Sequence, residues 1–189
     1  MSNKNVTENG SNKKEVLMAG LGGGGVLTVG ETLLHAAASE YKYVSYFPSY
    51  GVSMRGGHVE CTVILSNEKI GSPILPKANV VIIFNNTKLE EFEGRVRPGG
   101  LLILESTGLV AEPTRSDIKV LKVPAIETAT ALGENRASNQ VLLGTYIKAT
   151  GVTSPEVIEK QIEKRFKEKH LDKALPVNLE AFRRGLEMG

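Results

Sequence analysis

A run of glycines separates a short apolar segment from a helical one near the start of the chain. In EVLMAGLGGGG, residues 15–25, the apolar stretch ends in a turn that is almost entirely glycine. Apolar residues then recur at helical spacing, at Val26, Val29, Leu33 and Ala37. A buried strand that turns tightly into a helix is the start of a βα unit. The sequence therefore predicts an α/β fold.

Further strands and helices follow along the chain. NVVIIF (79–84) and LLILE (101–105) are continuous apolar runs, as in buried parallel strands, and RPGG (97–100) reads as a turn before the second. Alternation over 58–65 predicts a strand on which Val59, Cys61, Val63 and Leu65 share one face, and helical patterns dominate the carboxyl-terminal part. We expect a Rossmann-like three-layer α/β fold with a mostly parallel sheet and extra carboxyl-terminal helices.

The domain boundaries follow from composition. Residues 1–14 are polar and read as a disordered tail. Residues 15–189 contain neither repeats nor a linker, so they read as a single α/β domain.

Charge and cysteine content exclude several classes of function. The formal net charge of +2 gives no basic face for nucleic acid. Cys61 is the only cysteine, which excludes an internal disulfide and an iron–sulfur cluster held by this chain alone. Because Cys61 falls on the apolar face of its strand, it is expected in the core. The histidines are widely spaced, so no metal site is expected. No apolar stretch is long enough to cross a membrane, and a cytoplasmic protein is expected.

The glycine turn also fits GxGxxG, the pattern of a dinucleotide-binding turn. Backbone amides in such a turn approach a phosphate at the positive end of a helix. The full fingerprint needs an acid at the end of the next strand, but that strand ends in Tyr46-Phe47-Pro48. The missing acid counts against NAD. A tight packing turn, or room for another molecule or subunit, remains open.

A second unusual segment is SYFPSYGVSMRGGHVECTV, residues 45–63. It is aromatic and glycine-rich, with Arg55 as its cation and no acid before Glu60. Loops that only reverse the chain are typically short and polar, so this segment is unusual for such a loop.

Two further positions are candidates for a binding role. Arg136 is placed at a helix start, where a cation is electrostatically unfavourable, which favours a partner or an anion nearby. Glu105, at the end of LLILE, either faces the cleft at that end of the sheet or caps a helix. No catalytic residue is assigned.

Five motifs in series resemble a known family. GLGGGGVLTVGETLLHAA, YVSYFPSYGVSMRGGHVECTVILS, IGSP, RPGGLLILES and ENRASNQVLLG are together similar to the gamma subunit of 2-oxoacid:ferredoxin oxidoreductases. The resemblance implies a Rossmann-like chain within a complex that uses thiamine diphosphate, Mg²⁺, iron–sulfur clusters and coenzyme A (CoA). It also implies that other chains hold the thiamine and the clusters. The implied partners are the alpha, beta and ferredoxin-like delta subunits, with ferredoxin as electron acceptor.

The resemblance further implies that this chain forms the CoA side of the active site or an interface there. Arg55 is the only strong cation in a stretch where some family members carry lysines. The residues expected to face CoA or a partner are Gly22, Gly23, Gly24, Ser49, Tyr50, Met54, Arg55, Gly56, Gly57, Arg136 and Asn139.

The expected function is that of a gamma subunit without activity of its own. The motifs VSYFPSYG and MRGG resemble those of gamma chains from 2-oxoglutarate enzymes. This resemblance favours 2-oxoglutarate over pyruvate, a branched-chain oxoacid or indolepyruvate as the substrate of the complex. The isolated chain is expected to self-associate, as a homodimer for example, through its exposed aromatics. The alternative is a free-standing Rossmann protein that binds NAD(P) or a flavin.

Overall fold

The computed structural model describes residues 13–50 and 57–189, apart from the side chain of Tyr50. The strands are β1 (Lys14–Leu21), β2 (Tyr43–Tyr50), β3 (His58–Ser66), β4 (Ala78–Ile83), β5 (Val96–Glu105) and β6 (Lys119–Val123). The helices are α1 (Val26–Ala37), α2 (Leu89–Phe92), α3 (Ala125–Ala131), α4 (Ser138–Thr150), α5 (Pro155–Glu168) and α6 (Leu175–Leu186).

All six strands form one sheet in the order β2-β3-β1-β4-β5-β6. The pairs β1–β4, β4–β5 and β5–β6 are parallel, whereas β3 is antiparallel to both of its neighbours. Five strands therefore end, and β3 begins, at one edge of the sheet, which we call the carboxyl edge. The predicted α/β fold with a mostly parallel sheet and carboxyl-terminal helices is confirmed.

One face of the sheet carries the larger core. The helices α1, α4, α5 and α6 pack there, and Cys61 lies among them without exposed surface. Burial, with smaller contributions from two nearby glutamates, raises the pKa of the Cys61 thiol to about 12. Cys61 is thus a core residue, as its place on the apolar face of β3 predicts.

The contact between α4 and α6 depends on two glycines. A methyl group on Gly144 would lie 2.1 Å from the carbonyl oxygen of Phe182, and one on Gly185 would lie 2.0 Å from that of Val141. The Thr145 hydroxyl donates a hydrogen bond to the Gly185 carbonyl at 3.1 Å. The two backbones therefore touch, and only glycine permits this approach.

The opposite face has a thinner cover. Leu89 and Phe92 of α2 pack on a second cluster of buried strand residues, and partly buried loop residues such as Ile70 and Leu109 complete it. The third layer of the fold is thus one short helix with loops. No helix in the described part of the chain is long and apolar enough to cross a membrane.

Several local predictions need correction. RPGG is not a turn before a strand: β5 begins at Val96, which pairs with Ala78, and the ladder resumes only at Val80 and Leu101. The pairing of Val96 with β4 holds this segment in the sheet as an irregularity, despite its turn propensity. β1 begins at Lys14, the last residue of the predicted tail; residues 1–12 of that tail lie outside the described residues.

Candidate functional site

The glycine turn after β1 is fixed to the beginning of β3. The amide of Gly22 donates a hydrogen bond to the carbonyl of Gly57 at 2.9 Å, and Leu21 pairs with His58. The amide of Gly24 donates to the Leu21 carbonyl at 3.0 Å. Two amides that the GxGxxG pattern offers to a phosphate are therefore bonded within the protein, while Gly23 and Gly24 remain exposed.

The turn ends at Gly25, which touches the start of α4. Gly25 has a φ of 79°, a left-handed conformation that favours glycine. A methyl group on Gly25 would lie 2.1 Å from Asn139 Nδ2 and 2.9 Å from its Cγ. Asn139 is only 8% exposed, and its Oδ1 atom is buried without a hydrogen-bond partner. The structure thus brings Asn139 against the glycine turn.

The first backbone amides of α1, which follow Gly25 in the chain, have no acceptor within the helix. The first helical hydrogen bond runs from the amide of Val29 to the carbonyl of Gly25. The amides of Val26, Leu27 and Thr28 therefore have no partner within the helix. Gly25 supplies no capping side chain, and the first turn contains no acid. This end of α1 is electropositive.

The end of β2 reaches the same edge of the sheet. Ser49 is half-buried and pairs with Glu60, and Tyr50 pairs with Val59. Tyr50 and Gly57, which flank residues 51–56, therefore both lie at the carboxyl edge. The predicted site residues Met54, Arg55 and Gly56 lie outside the described residues.

Arg136 lies in a short 3-10 turn that precedes α4. Its side chain is 88% exposed, and its Nε atom lies 3.8 Å from Glu134 Oε1. The same carboxylate accepts a hydrogen bond from the Arg136 amide at 3.2 Å. Arg136 is thus an accessible cation with one loose intramolecular contact, and its role toward a partner or an anion stays a prediction.

Glu105 acts as a cap. It is 1% exposed, and its Oε1 atom accepts hydrogen bonds from the amides of Thr107 at 2.9 Å and Ile126 at 3.3 Å. This buried carboxylate accepts hydrogen bonds from a backbone amide of the loop after β5 and from one at the start of α3. It therefore caps these segments and does not face a ligand at the carboxyl edge.

Two features near the edge had no recognisable signal in the sequence. Gln140 is 2% exposed, and its Oε1 atom is buried without a partner. His58 stacks on Phe92 with ring centroids 5.2 Å apart, and its ring nitrogens lie 3.8 Å from carboxylate oxygens of Glu60 and Glu91. Alternation in β3 places His58 and Glu60 on one face, but the approach of α2 depends on tertiary packing.

The two edge strands of the sheet, β2 and β6, differ in charge. β2, with the sequence YVSYFPSY, has no charged residue, and Phe47 is 40% exposed. β6, with the sequence KVLKV, carries exposed Lys119 and Lys122. Charges on edge strands discourage pairing with other chains, so β2 is the less protected edge.

Comparison with known proteins agrees with this fold and with the motifs around the edge. Residues 15–188 match the family described as pyruvate ferredoxin/flavodoxin oxidoreductase. The chain belongs to this family. It is 37% identical over 172 residues to ketoisovalerate oxidoreductase subunit VorA of Methanothermobacter marburgensis, covering 91% of this chain and 36% of VorA. It is 30% identical over 159 residues to 2-oxoglutarate synthase subunit KorC of the same organism, covering 80% of this chain and 85% of KorC.

Solved structures of this oxidoreductase family share the architecture. The gamma subunit of a keto/oxoacid ferredoxin oxidoreductase from Geobacter sulfurreducens has a TM-score of 0.76 at 25% identity, covering 93% of this chain and 97% of that one. The 2-oxoglutarate:ferredoxin oxidoreductase of Magnetococcus marinus has a TM-score of 0.85 at 24% identity, covering 95% of this chain and 31% of that one. The resemblance to gamma subunits is confirmed, and the chain spans about a third of the length of VorA.

Proposed function

We propose that this chain is the gamma subunit of a thiamine-diphosphate, iron–sulfur 2-oxoacid:ferredoxin oxidoreductase. The complex would oxidatively decarboxylate a 2-oxoacid, transfer the acyl group to CoA and pass electrons to ferredoxin, in the cytoplasm. The observation that carries this proposal is the match, over most of both chains, to subunits named KorC and to solved gamma subunits.

The residues of this chain do not suit it to hold the redox centres. Cys61, the only cysteine, is fully buried, and its raised thiol pKa disfavours the thiolate that a cluster requires. Among the described residues, no three His, Cys, Asp or Glu side chains lie together as metal ligands. On the resemblance to gamma subunits, we assign the thiamine and the clusters to the alpha, beta and delta subunits.

The carboxyl edge is our candidate for the CoA side of the active site. The electropositive end of α1, the exposed Gly23 and Gly24, and the backbones of Tyr50 and Gly57 lie there. A site for CoA needs positive groups for its phosphates and apolar walls for its pantetheine arm. We assign the charge to Arg55 and the wall to Tyr50 and Met54.

The outer edge of β2 is our candidate for contact with the alpha subunit. VorA and the Magnetococcus protein carry a unit like this one as about a third of a longer chain. Such a unit needs a surface against the remainder, and the uncharged β2 strand with Phe47 offers one that leads directly to the carboxyl edge. The active site would thus be completed at a boundary between subunits.

Among the possible substrates, our first choice is 2-oxoglutarate, on the resemblance of the 45–63 segment to those gamma chains. The relatives are named for ketoisovalerate, 2-oxoglutarate and pyruvate. Recognition of the second carboxylate is assigned to the partner subunits. CoA-dependent ferredoxin reduction by the purified complex, measured with these three oxoacids, would rank them.

Purification of the tagged chain from its source cells tests the proposal. We expect larger thiamine- and cluster-containing chains to co-purify and to show CoA-dependent turnover. In that complex, Arg55→Ala should raise the apparent KM for CoA about tenfold or more, the effect of losing one hydrogen bond to a charged group. Lys164→Ala, which removes an exposed cation from α5, is the matched control.

Recovery of the chain alone, with saturable NAD(P)H or flavin binding, would overturn the subunit assignment and favour the free-standing Rossmann alternative. Separately, co-purification of the partner chains with Phe47→Glu at the level of the unaltered chain would overturn the proposed β2 contact. Ile74→Glu is the control for the added charge, because Ile74 is 64% exposed in a loop outside β2.

A further inference from the structure

The outer edge of β2 can accept another strand. β2 is an outermost strand of the described sheet, and none of its residues, YVSYFPSY, carries a charge. Backbone N–H and C=O groups that point away from β3 therefore have no further strand of this sheet beside them. An edge of this kind is a template for pairing with another chain.

The hydrogen bond between Gly22 and Gly57 sets the direction of the backbone groups in β3. The Gly22 amide donates to the Gly57 carbonyl at 2.9 Å, and the same ladder continues through the pair of Gly20 and Val59. Hydrogen-bonded and non-hydrogen-bonded pairs alternate along an antiparallel ladder. The odd-numbered residues of β3 therefore direct their backbone groups to β1, and the even-numbered residues direct theirs to β2.

The same alternation fixes the backbone groups of β2. Even-numbered residues of β3 pair with odd-numbered residues of β2, as Thr62 does with Phe47. The odd-numbered residues of β2 therefore bond to β3, and Val44, Tyr46 and Pro48 direct their backbone groups to the outer edge. Pro48 agrees with this direction, because proline has no N–H for a ladder and is tolerated in a strand where that position faces outward.

Pro48 restricts how a second copy of the chain can pair with this edge. A two-fold axis makes two β2 strands antiparallel, and the axis must lie near the middle of the strand if most of β2 is to pair. Registers centred on Tyr46 or Phe47 place Pro48 opposite an outward-facing residue of the other copy. The carbonyl of that residue then receives no hydrogen bond, because proline offers no donor.

A second restriction comes from the residue before β2. A register centred on Val44 brings Lys42 into the ladder, although the Lys42 amide already donates a hydrogen bond to Asn67 Oδ1 at 3.2 Å. The register centred on Ser45 avoids both conflicts in its central pairs. It places Val44 opposite the partner's Tyr46, and both of these residues direct their backbone groups outward.

We propose that two copies of the isolated chain pair antiparallel along β2, with the two-fold axis at Ser45. The Val44 amide donates to the partner's Tyr46 carbonyl, an acceptor whose two lone pairs allow more than one hydrogen bond. On the face of the sheet away from α1, Phe47 lies opposite the partner's Tyr43. This aromatic pair covers a ring that is 40% exposed in the single chain.

A disulfide at the axis tests the register. The two Ser45 residues form a non-hydrogen-bonded pair, in which Cα atoms lie about 4.5 Å apart, within the range of a disulfide. Ser45→Cys should therefore give covalent dimers when the full chain is oxidised, whereas Cys61 is fully buried and should not react. Ser49→Cys is the matched control, because it lies on the same face but opposite position 41 of the other copy. It should give no covalent dimer.

A charge at the axis tests the dimer without a cross-link. Ser45→Lys brings two ammonium groups together and should raise the dissociation constant of the dimer, measured by sedimentation equilibrium, at least about fivefold. Ser49→Lys adds the same charge away from the axis and should change it less than about twofold, since exposed charges are screened. An unaltered chain that stays monomeric, equal cross-linking of the two cysteine variants, or an unchanged dissociation constant in Ser45→Lys would overturn the dimer.

Competition between this dimer and the alpha subunit rests on the proposed function and has a separate test. The oxidised Ser45→Cys dimer should fail to bind the partner chains, and reduction of the disulfide should restore assembly. Assembly of the oxidised dimer would overturn the competition while the dimer stands. Absence of the dimer would leave the subunit assignment standing, because co-purification of the complex tests that assignment.

Discussion

Replacing Gly144 by alanine should loosen the contact between α4 and α6. The added methyl group would lie 2.1 Å from the Phe182 carbonyl oxygen and 2.9 Å from the Leu186 amide nitrogen. Both are backbone atoms, so no side-chain rotation relieves the overlap. The helices would have to separate by about 1 Å, and a gap of that size forfeits a quarter to a half of each dispersion contact across it.

The expected loss of stability follows from opposing contributions. Overpacking of this kind costs about 1–3 kcal/mol. Stretching the hydrogen bond from Thr145 to the Gly185 carbonyl adds about 1 kcal/mol. The higher helix propensity of alanine returns about 1 kcal/mol. We therefore expect the free energy of unfolding to fall by about 1–3 kcal/mol.

Urea denaturation of the purified chain, followed by circular dichroism, measures this difference. Gly94→Ala is the control, because a methyl group there meets no atom within 4 Å. It should alter the free energy of unfolding by less than about 0.5 kcal/mol. If Gly144→Ala were as stable as the unaltered chain, the backbone contact inferred between the helices would be wrong.

Three further predictions concern Glu93, Cys61 and the contact between Gly25 and Asn139. Burial opposes ionisation of Glu93, but hydrogen bonds from Arg115 and Thr114 outweigh it and lower its pKa. This stabilisation is therefore present above the unfolded pKa of about 4.3 and is lost as pH falls through the folded pKa. Glu93→Gln should be less stable by about 1–3 kcal/mol at pH 7, and this deficit should shrink in urea titrations at acid pH; a constant deficit would contradict the assignment. Cys61 should react with iodoacetamide at pH 8 about a thousandfold more slowly in the folded chain than in urea, and rapid native labelling would refute its burial. Gly25→Ala should be destabilised by about 2–4 kcal/mol through backbone strain and overlap with Asn139, and Asn139→Ala should restore about half of this loss in a double-mutant cycle. Additive losses would show that the two residues do not touch.

Local patterns were sufficient to predict much of the fold. The alternation through β3 placed Val59 and Cys61 on the buried face, because a strand has a period of two residues. The helical spacing of Val26, Val29, Leu33 and Ala37 predicted α1, which runs from Val26 to Ala37 with all four residues buried. The turn predicted at RPGG was wrong, because turn propensity reflects only neighbouring residues. The pairing of Val96 with Ala78 joins residues distant in the chain.

The candidate site was only partly predictable. The glycine turn and Asn139 were identified separately, by motif and by resemblance. Their contact joins residues 114 positions apart, so no periodicity could predict it. The bond from the Gly22 amide to the Gly57 carbonyl follows from the position of β3 beside β1, which depends on strand order. The sequence therefore named several residues of the site without indicating which atoms were free.

The place of β3 between β1 and β2 has a consequence for the order of assembly. β2 and β3 are joined by a short connection, whereas the pairing of Lys14 with Leu65 closes a much longer one. Shorter loops lose less entropy on closure, so we expect the β2–β3 hairpin to form before β1 adds to it. The hydrogen bond between Gly22 and Gly57 then forms late, and the glycine turn is fixed to the beginning of β3 only in chains whose sheet has reached its final strand order.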